Sequence, residues 1–193
     1  MRVIAGKARS VPLLSRDGLD TRPTADRVKE AIFNIIQFEI EGRRVLDLFG
    51  GSGQLAIEAL SRGAAEAVIV DQSKESVSVI RQNLEKTRLS DQAELVCADY
   101  MDYLSRAKGK FDLIFLDPPY REKFLENALK RISEIDILKS GGIIICERPA
   151  DKAMLDDYGA FSRAKDYRYG KTGITVYRRK SCLTTETGGN KHE

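Results

Sequence analysis

Two hydrophobic rhythms alternate along the chain. Short apolar runs recur at Val45-Leu46, Ala67-Val68-Ile69-Val70, Leu95-Val96-Cys97-Ala98, Leu113-Ile114-Phe115-Leu116 and Ile143-Ile144-Ile145-Cys146. Runs without polar alternation suit strands buried on both faces of a parallel sheet. Between them, apolar residues return at every third or fourth position. Val28, Ala31, Ile32, Ile35 and Ile36 form one such set, Val77, Ile80 and Leu84 another, and Phe124, Leu125, Ala128, Leu129 and Ile132 a third. That spacing lines one face of a helix. Strand-like and helix-like segments in alternation predict an α/β fold.

Punctuation agrees with the rhythm. Thr24 and Ser73 are expected N-caps, and Gly63 closes the helix that begins near Gln54. Near the end, residues 163–169 and 173–178 read as an antiparallel hairpin joined by Gly170-Lys171-Thr172, a turn that is basic and flanked by aromatics. From Ser181 onward there is no periodicity, so 181–193 is expected to be a disordered tail. At the other end, Val3-Ile4 and Val11-Pro12-Leu13-Leu14 flank Gly6-Lys7 and predict a small hairpin or arm outside the main sheet. The expected organisation is therefore an arm over 1–22, one domain over 23–180 and the tail.

Composition changes this picture little. With 193 residues, 42% hydrophobic and 32% charged, the chain has material for one core and too little for two domains. No stretch has the length of a membrane span or the apolar core of a signal peptide, so a cytoplasmic protein is expected. Cys97, Cys146 and Cys182 match no metal or disulfide spacing, and Cys97 and Cys146 read as small buried hydrophobes. The single histidine, His192, stands among polar residues near the terminus, which disfavours histidine catalysis and a histidine-bearing zinc site; no metal is expected.

Charge matters more locally. The net charge is only +3, yet Arg2, Lys7, Arg9 and Arg16 precede the first acid, Asp17. An arm with that charge suits a phosphate backbone. Arg22, Arg27 and Lys171 are candidates for the same surface, and Asp26, Arg27 and Lys29 are expected on the exposed side of the first helical turn.

The candidate chemistry lies at strand ends. Asp47 closes the first run and leads into Phe49-Gly50-Gly51-Ser52-Gly53. Glycines there let the chain turn and let a ligand approach the backbone. The dinucleotide fingerprint is absent, because Leu55 and Ala56 follow without its third glycine. An acid before the turn would repel a pyrophosphate but suits a zwitterion, such as the amino-acid end of S-adenosylmethionine. Asp71 ends the second run about 24 positions after Asp47, close to the usual spacing of a ribose-binding acid. Asp99-Tyr100 ends the third, where an acid can accept from an adenine amino group.

The fourth run delivers Asp117-Pro118-Pro119-Tyr120. Two prolines forbid both ladder and helix, so the turn presents a carboxylate, bare carbonyls and an aromatic ring at the ligand-binding edge of the sheet. That set fits a flat partner with N–H groups, such as a nucleobase amine stacked on Tyr120.

In this order the motifs resemble class I S-adenosylmethionine-dependent methyltransferases. The resemblance narrows, through Arg22-Pro23-Thr24-Ala25-Asp26-Arg27-Val28-Lys29-Glu30, Glu58-Ala59-Leu60-Ser61-Arg62-Gly63-Ala64 and the initial Arg2-Val3-Ile4-Ala5-Gly6-Lys7, to the RsmD-like 16S ribosomal RNA guanine-N2 methyltransferases. It covers the chain to about residue 180. It implies a Rossmann-like, doubly wound, seven-stranded and mostly parallel sheet whose final hairpin supplies the one antiparallel strand. S-adenosyl-L-methionine is then the cofactor, beside Asp47, Phe49, Gly51, Ser52, Gly53, Asp71, Asp99 and Tyr100. Asp117, Pro118, Pro119 and Tyr120 are the catalytic group, and Arg2, Lys7, Arg9, Arg22, Arg27 and Lys171 are candidates to contact RNA. The expected partner is small-subunit ribosomal RNA or its assembly intermediate, met by a monomer. One departure is Gly50, where the family usually has alanine; it is expected to be harmless. The tetrapeptide alone does not separate guanine from adenine as the methylated base, whereas enzymes that methylate a protein glutamine more usually have Asn at its first position. A nicotinamide oxidoreductase is disfavoured by Asp47 and the missing glycine, and a non-catalytic RNA-binding module would not need every strand-end acid.

Overall fold

In the computed structural model, which describes residues 1–15, 23–119 and 123–180 (the first three of the second stretch by backbone only), every apolar run is a strand. Five parallel strands carry the site: β1 (Arg44–Asp47), β2 (Glu66–Asp71), β3 (Ala93–Cys97), β4 (Phe111–Leu116) and β5 (Leu138–Pro149). They are followed by β6 (Asp157–Tyr158), β7 (Phe161–Tyr169) and β8 (Thr172–Arg179), and the sheet order is β3-β2-β1-β4-β5-β8-β7-β6. The seven expected strands are all present, with β8 antiparallel to β5. An eighth, the two-residue β6, adds a second reversed strand at the edge. Too short to show periodicity, it was invisible to pattern.

Strand alternation divides the core into two faces. Val45, Ile69, Leu113, Phe115 and Ile145 pack with α1 (Pro23–Ile35), α2 (Gln54–Ser61) and α3 (Lys74–Thr87). Leu46, Val68, Ile114, Leu116 and Ile144 face α4 (Tyr100–Arg106) and α5 (Phe124–Ile135). The helix signals mostly hold. Ser73 caps α3 by accepting from Ser76 N–H, and Gly63 at φ 103 closes α2 as Ala64 N–H reaches Ala59 O. α1 begins at Pro23, which puts Thr24 inside the first turn. Proline suits a first helical position because its missing N–H would have no helical partner.

Two expectations fail for tertiary reasons. Lys29 is buried, 1% exposed, with Nζ donating to Arg2 O at 2.6 Å and lying 3.8 Å from the equally buried Glu58. Cys97 is exposed, because β3 is the edge strand of the sheet, whereas Cys146 in central β5 is buried. The expectations for Arg16, Arg22, Tyr120, Cys182, His192 and the tail fall outside the described residues, as does the side chain of Thr24.

Residues 1–13 fold back as a hairpin, with Val3 N–H to Val11 O and Ser10 N–H to Val3 O, and with Val3, Ala8 and Leu13 sunk into the core. It docks on α2. The Glu58 carboxylate accepts from Ile4 N–H and Ala5 N–H, while Ser61 Oγ accepts from Ala8 N–H and donates to Ala5 O. Gly6 approaches so closely that a Cβ there would lie 1.8 Å from Ser61 O, so no other residue fits.

Gly50 is also explained by packing. A Cβ at this position would lie 2.7 Å from Ile69 Cγ2 and 3.0 Å from Ile80 Cδ1, so these isoleucines occupy the room an alanine methyl would need. The neighbours thus fill the space that the family's alanine would take. Restoring the methyl by Gly50→Ala is expected to destabilise this chain by about 1–3 kcal/mol through overpacking, measured as a lower urea midpoint with unchanged slope.

Candidate active site

The carboxyl ends of the parallel strands enclose a cavity of about 660 Å³, within the size range of small-molecule sites. Of the residues expected there, Phe49, Gly51, Ser52, Asp71, Asp99, Tyr100, Asp117, Pro118 and Pro119 line it. Asp47 and Gly53 are not among its lining residues, for reasons set by the turn they flank.

That turn is held from below. Gly50 N–H donates to Val70 O, Gly53 N–H to Gly50 O, and Gly51 N–H to Asp71 Oδ2 at 2.8 Å. Gly51 at φ 57 and Gly53 at φ 77 adopt the left-handed conformation that opens α2. Gly53 is thereby folded under the loop against Ile57 and Ile80. The second oxygen of Asp71 accepts from Ser73 N–H at 2.8 Å, so the carboxylate is fixed by two backbone donors. A carboxylate has about four acceptor sites, which leaves capacity for ribose hydroxyls. Asp99 is an N-cap for α4: its Oδ1 accepts from Met101 N–H at 2.8 Å.

Asp47 follows the same alternation as Val45, so its side chain turns toward α2. It is buried there at 1% exposure, accepting from the backbone N–H groups of Ala56 and Phe49, and Oδ1 has no hydrogen-bond partner. It braces the strand end instead of walling the cavity. Burial pushes its carboxyl up to about 7, the two backbone donors pull it down, and Asp71 adds a smaller upward push. A carboxyl raised in the folded state contributes its stability fully below the unfolded value and loses it as pH climbs through the folded one. The wild type is therefore expected to lose stability between about pH 4 and 7, this residue accounting for up to roughly 4 kcal/mol. Asp47→Asn is expected to flatten that part of the curve in urea titrations run across the range.

One wall is aromatic. Phe49 and Tyr100 have ring centroids 5.1 Å apart, and Phe124 meets Tyr100 edge-on at 5.5 Å. Phe124 lines the cavity although its sequence position reads as part of a helix stripe. Ser15 lines it too, carried there by the arm. Buried Asn83 of α3 accepts from Leu14 N–H and donates to both Leu14 O and Ser52 O, tying the arm's end to the glycine turn. No local signal marks Ser15 or Asn83; both depend on chain segments meeting.

Asp117 follows β4, half-buried, with Pro118 buried beside it and Pro119 exposed. Burial, then the neighbouring carboxyls of Glu147 and Asp47, hold the Asp117 carboxyl well above the ordinary carboxylate range.

The basic candidates separate into two places. Arg2, Arg9 and Arg27 surround a second cavity of about 310 Å³ between the arm and α1, alongside Asp26 and Glu30. Among the described residues none of these three guanidinium groups makes an ion pair, in contrast to Arg43, Arg62, Arg148 and Arg178. Lys7 instead donates to Gln92 Oε1 at 2.5 Å, and Lys171 sits exposed on the turn between β7 and β8, where Gly170 at φ 62 takes the first central position.

Residues 1–178 match the family described as Conserved hypothetical protein 95. The chain is 36% identical over 160 residues to the ribosomal RNA small subunit methyltransferase D of Haemophilus influenzae, covering 80% of this chain and 82% of that protein. It is 29% identical over 181 residues to the protein of the same name from Escherichia coli K12, covering 94% and 91%. A solved structure titled as a conserved hypothetical protein of Streptococcus pyogenes superposes with a TM-score of 0.75 at 32% identity, over 79% of this chain and 95% of that one.

Proposed function

The chain belongs to the RsmD-like family described as Conserved hypothetical protein 95, and from that membership we propose that it methylates the exocyclic N2 amine of a guanine in small-subunit ribosomal RNA. The observation that carries this reading is a shared cavity: Asp117-Pro118-Pro119 opens onto the same space as Asp71, Asp99 and the glycine turn.

S-adenosylmethionine, when bound there, supplies an electrophilic methyl group on a sulfonium. The residues present fit it. Asp71 would accept from the ribose hydroxyls and Asp99 from the adenine amine, and the rings of Phe49, Tyr100 and Phe124 that line the cavity would flank the base. Ser52 and the Gly51 backbone, which line the same cavity, would hold the amino-acid end, while Asp47 beneath them keeps the turn in shape.

The target base is unstacked before reaction, with Tyr120 against its face. A guanine N2 amine is a weak nucleophile because its lone pair is delocalised into the ring. Asp117 and the Pro118 carbonyl accept its two N–H groups, draw the nitrogen toward a tetrahedral shape and stabilise the positive charge that develops on it. The proton becomes acidic only once the nitrogen is alkylated. Asp117, whose raised affinity for a proton comes from burial and two neighbouring acids, is well suited to take it then.

Arg2, Lys7, Arg9, Arg22, Arg27 and Lys171 hold the RNA backbone. The arm over 1–22 works with the domain over 23–180 in a monomeric, cytoplasmic enzyme. No helix among the described residues is long and apolar enough to cross a membrane.

The test is incubation of small-subunit RNA from cells lacking this protein, both deproteinised and as partly assembled subunits, with labelled S-adenosylmethionine, followed by nucleoside mass analysis. N2-methylguanosine is expected. Label in N6-methyladenosine, or in no nucleoside under conditions where the cofactor binds, would overturn the reading.

A further inference from the structure

Asp117-Pro118-Pro119 can receive any planar amine, and nothing in it chooses guanine over adenine. The two bases differ beside the amine: guanine N1 carries a hydrogen, whereas adenine N1 carries a lone pair. A site that selects guanine through this edge needs a second acceptor next to the first.

The sheet supplies one. β4 and β5 run parallel with Leu116 opposite Cys146, so Asp117 and Glu147 are the next neighbours at the carboxyl edge, on strands about 4.8 Å apart. Both follow the alternation of Phe115 and Ile145, which share one core face, so the two carboxyl side chains leave the sheet on the same side. Glu147 is half-buried, and the charges acting on Asp117 are those of Glu147 first and Asp47 second, all acidic.

We propose that Glu147 is the specificity-determining residue of this site, its carboxylate accepting from guanine N1–H while Asp117 accepts from the N2 amine. The inference rests on the methyl-transfer reading above. The Glu147 charge helps raise the Asp117 carboxyl, and a base edge with N–H donors on adjacent atoms presents one donor to each acceptor. Adenine offers one donor and sets its N1 lone pair against the other carboxylate. A lost base-edge contact of this kind commonly costs tenfold to a hundredfold or more in discrimination.

The experiment uses a synthetic RNA spanning the methylated position, once mapped, with either guanine or 2-aminopurine there. 2-Aminopurine keeps the N2 amine but has a bare N1. The wild-type enzyme is expected to favour guanine by about tenfold or more in kcat/KM. Glu147→Gln, whose amide can donate to a bare N1, is expected to lose guanine methylation at least tenfold and to narrow or invert that preference, with cofactor affinity by calorimetry unchanged. Glu147→Asp, which keeps the charge, is expected to retain the preference at a lower rate. Equal wild-type rates on the two RNAs would overturn the proposal even if Glu147→Gln failed to fold. So would a folded, cofactor-binding Glu147→Gln with the wild-type ratio. If the wild type makes no N2-methylguanosine at all, the methyl-transfer reading itself falls and the role of Glu147 falls with it.

Discussion

Replacing Asp117 by alanine is expected to slow methyl transfer by a hundredfold or more while the cofactor still binds. The proposed mechanism gives the residue a step that occurs only as the methyl arrives. Its carboxyl follows β4, the Pro118-Pro119 pair holds the backbone beside it extended, and its proton affinity is set by burial and by Glu147 and Asp47. In the proposed mechanism removing it takes away an acceptor that stabilises charge on the amine, and such a loss appears in the rate of the bound complex. Single-turnover methylation with labelled cofactor reads the rate, and calorimetry reads cofactor affinity. Asp117→Asn keeps one carbonyl acceptor and should fall between wild type and alanine. Wild-type rates in the alanine variant would remove Asp117 from the mechanism. Joint loss of cofactor binding and activity would assign it to the cofactor pocket.

Glu58→Ala should be the most damaging single change to stability away from the cavity, at about 3–5 kcal/mol. Glu58 is fully buried and serves four donors. Ile4 N–H reaches Oε2 at 2.7 Å, Ala5 N–H and Arg62 Nε reach Oε1 at 3.0 and 2.8 Å, and the Lys29 ammonium lies 3.8 Å away. Burial pulls the Lys29 proton affinity down, and Glu58 opposes this. Without Glu58 the ammonium keeps, among the described residues, Arg2 O and the charge of Asp26, and two backbone donors of the arm are left unpaired. The arm should loosen first, so hydrogen exchange at Ile4 and Ala5 should accelerate beyond what the fall in urea midpoint accounts for. Glu58→Gln retains the volume and one acceptor and should cost less. An alanine variant with wild-type stability would mean that the arm docks through its apolar residues alone.

The importance of Glu58 could not be read from its surroundings. It stands in an apolar helix, and local pattern treats an acid there as a surface residue. Lys29 deceived in the same way: helical spacing placed it outward, and only the partner arriving from α2 made its burial affordable. The sequence places Asp47 at a strand end beside the cofactor, but it shows only where a strand ends and not which face its last side chain takes. Phe124 and Ser15 reach the cavity, and Asn83 ties the arm to its glycine turn, only because distant chain segments meet, as when Asn83 binds Leu14 and Ser52 across 69 and 31 positions.

What the sequence determined by itself was local and periodic. Apolar runs and stripes laid out alternating strands and helices, and glycine and proline marked the turns. Acids and the Asp117-Pro118-Pro119-Tyr120 group fell at the carboxyl ends of successive strands, which in a parallel sheet share one edge. The tertiary structure decided what depends on register and burial. It sank Asp47 below the glycine turn, locked the arm to α2 through Glu58, and gathered Arg2, Arg9 and Arg27 around one hollow. It also set Glu147 beside Asp117, because strand pairing and the cost of burying charge join residues that no spacing along the chain connects.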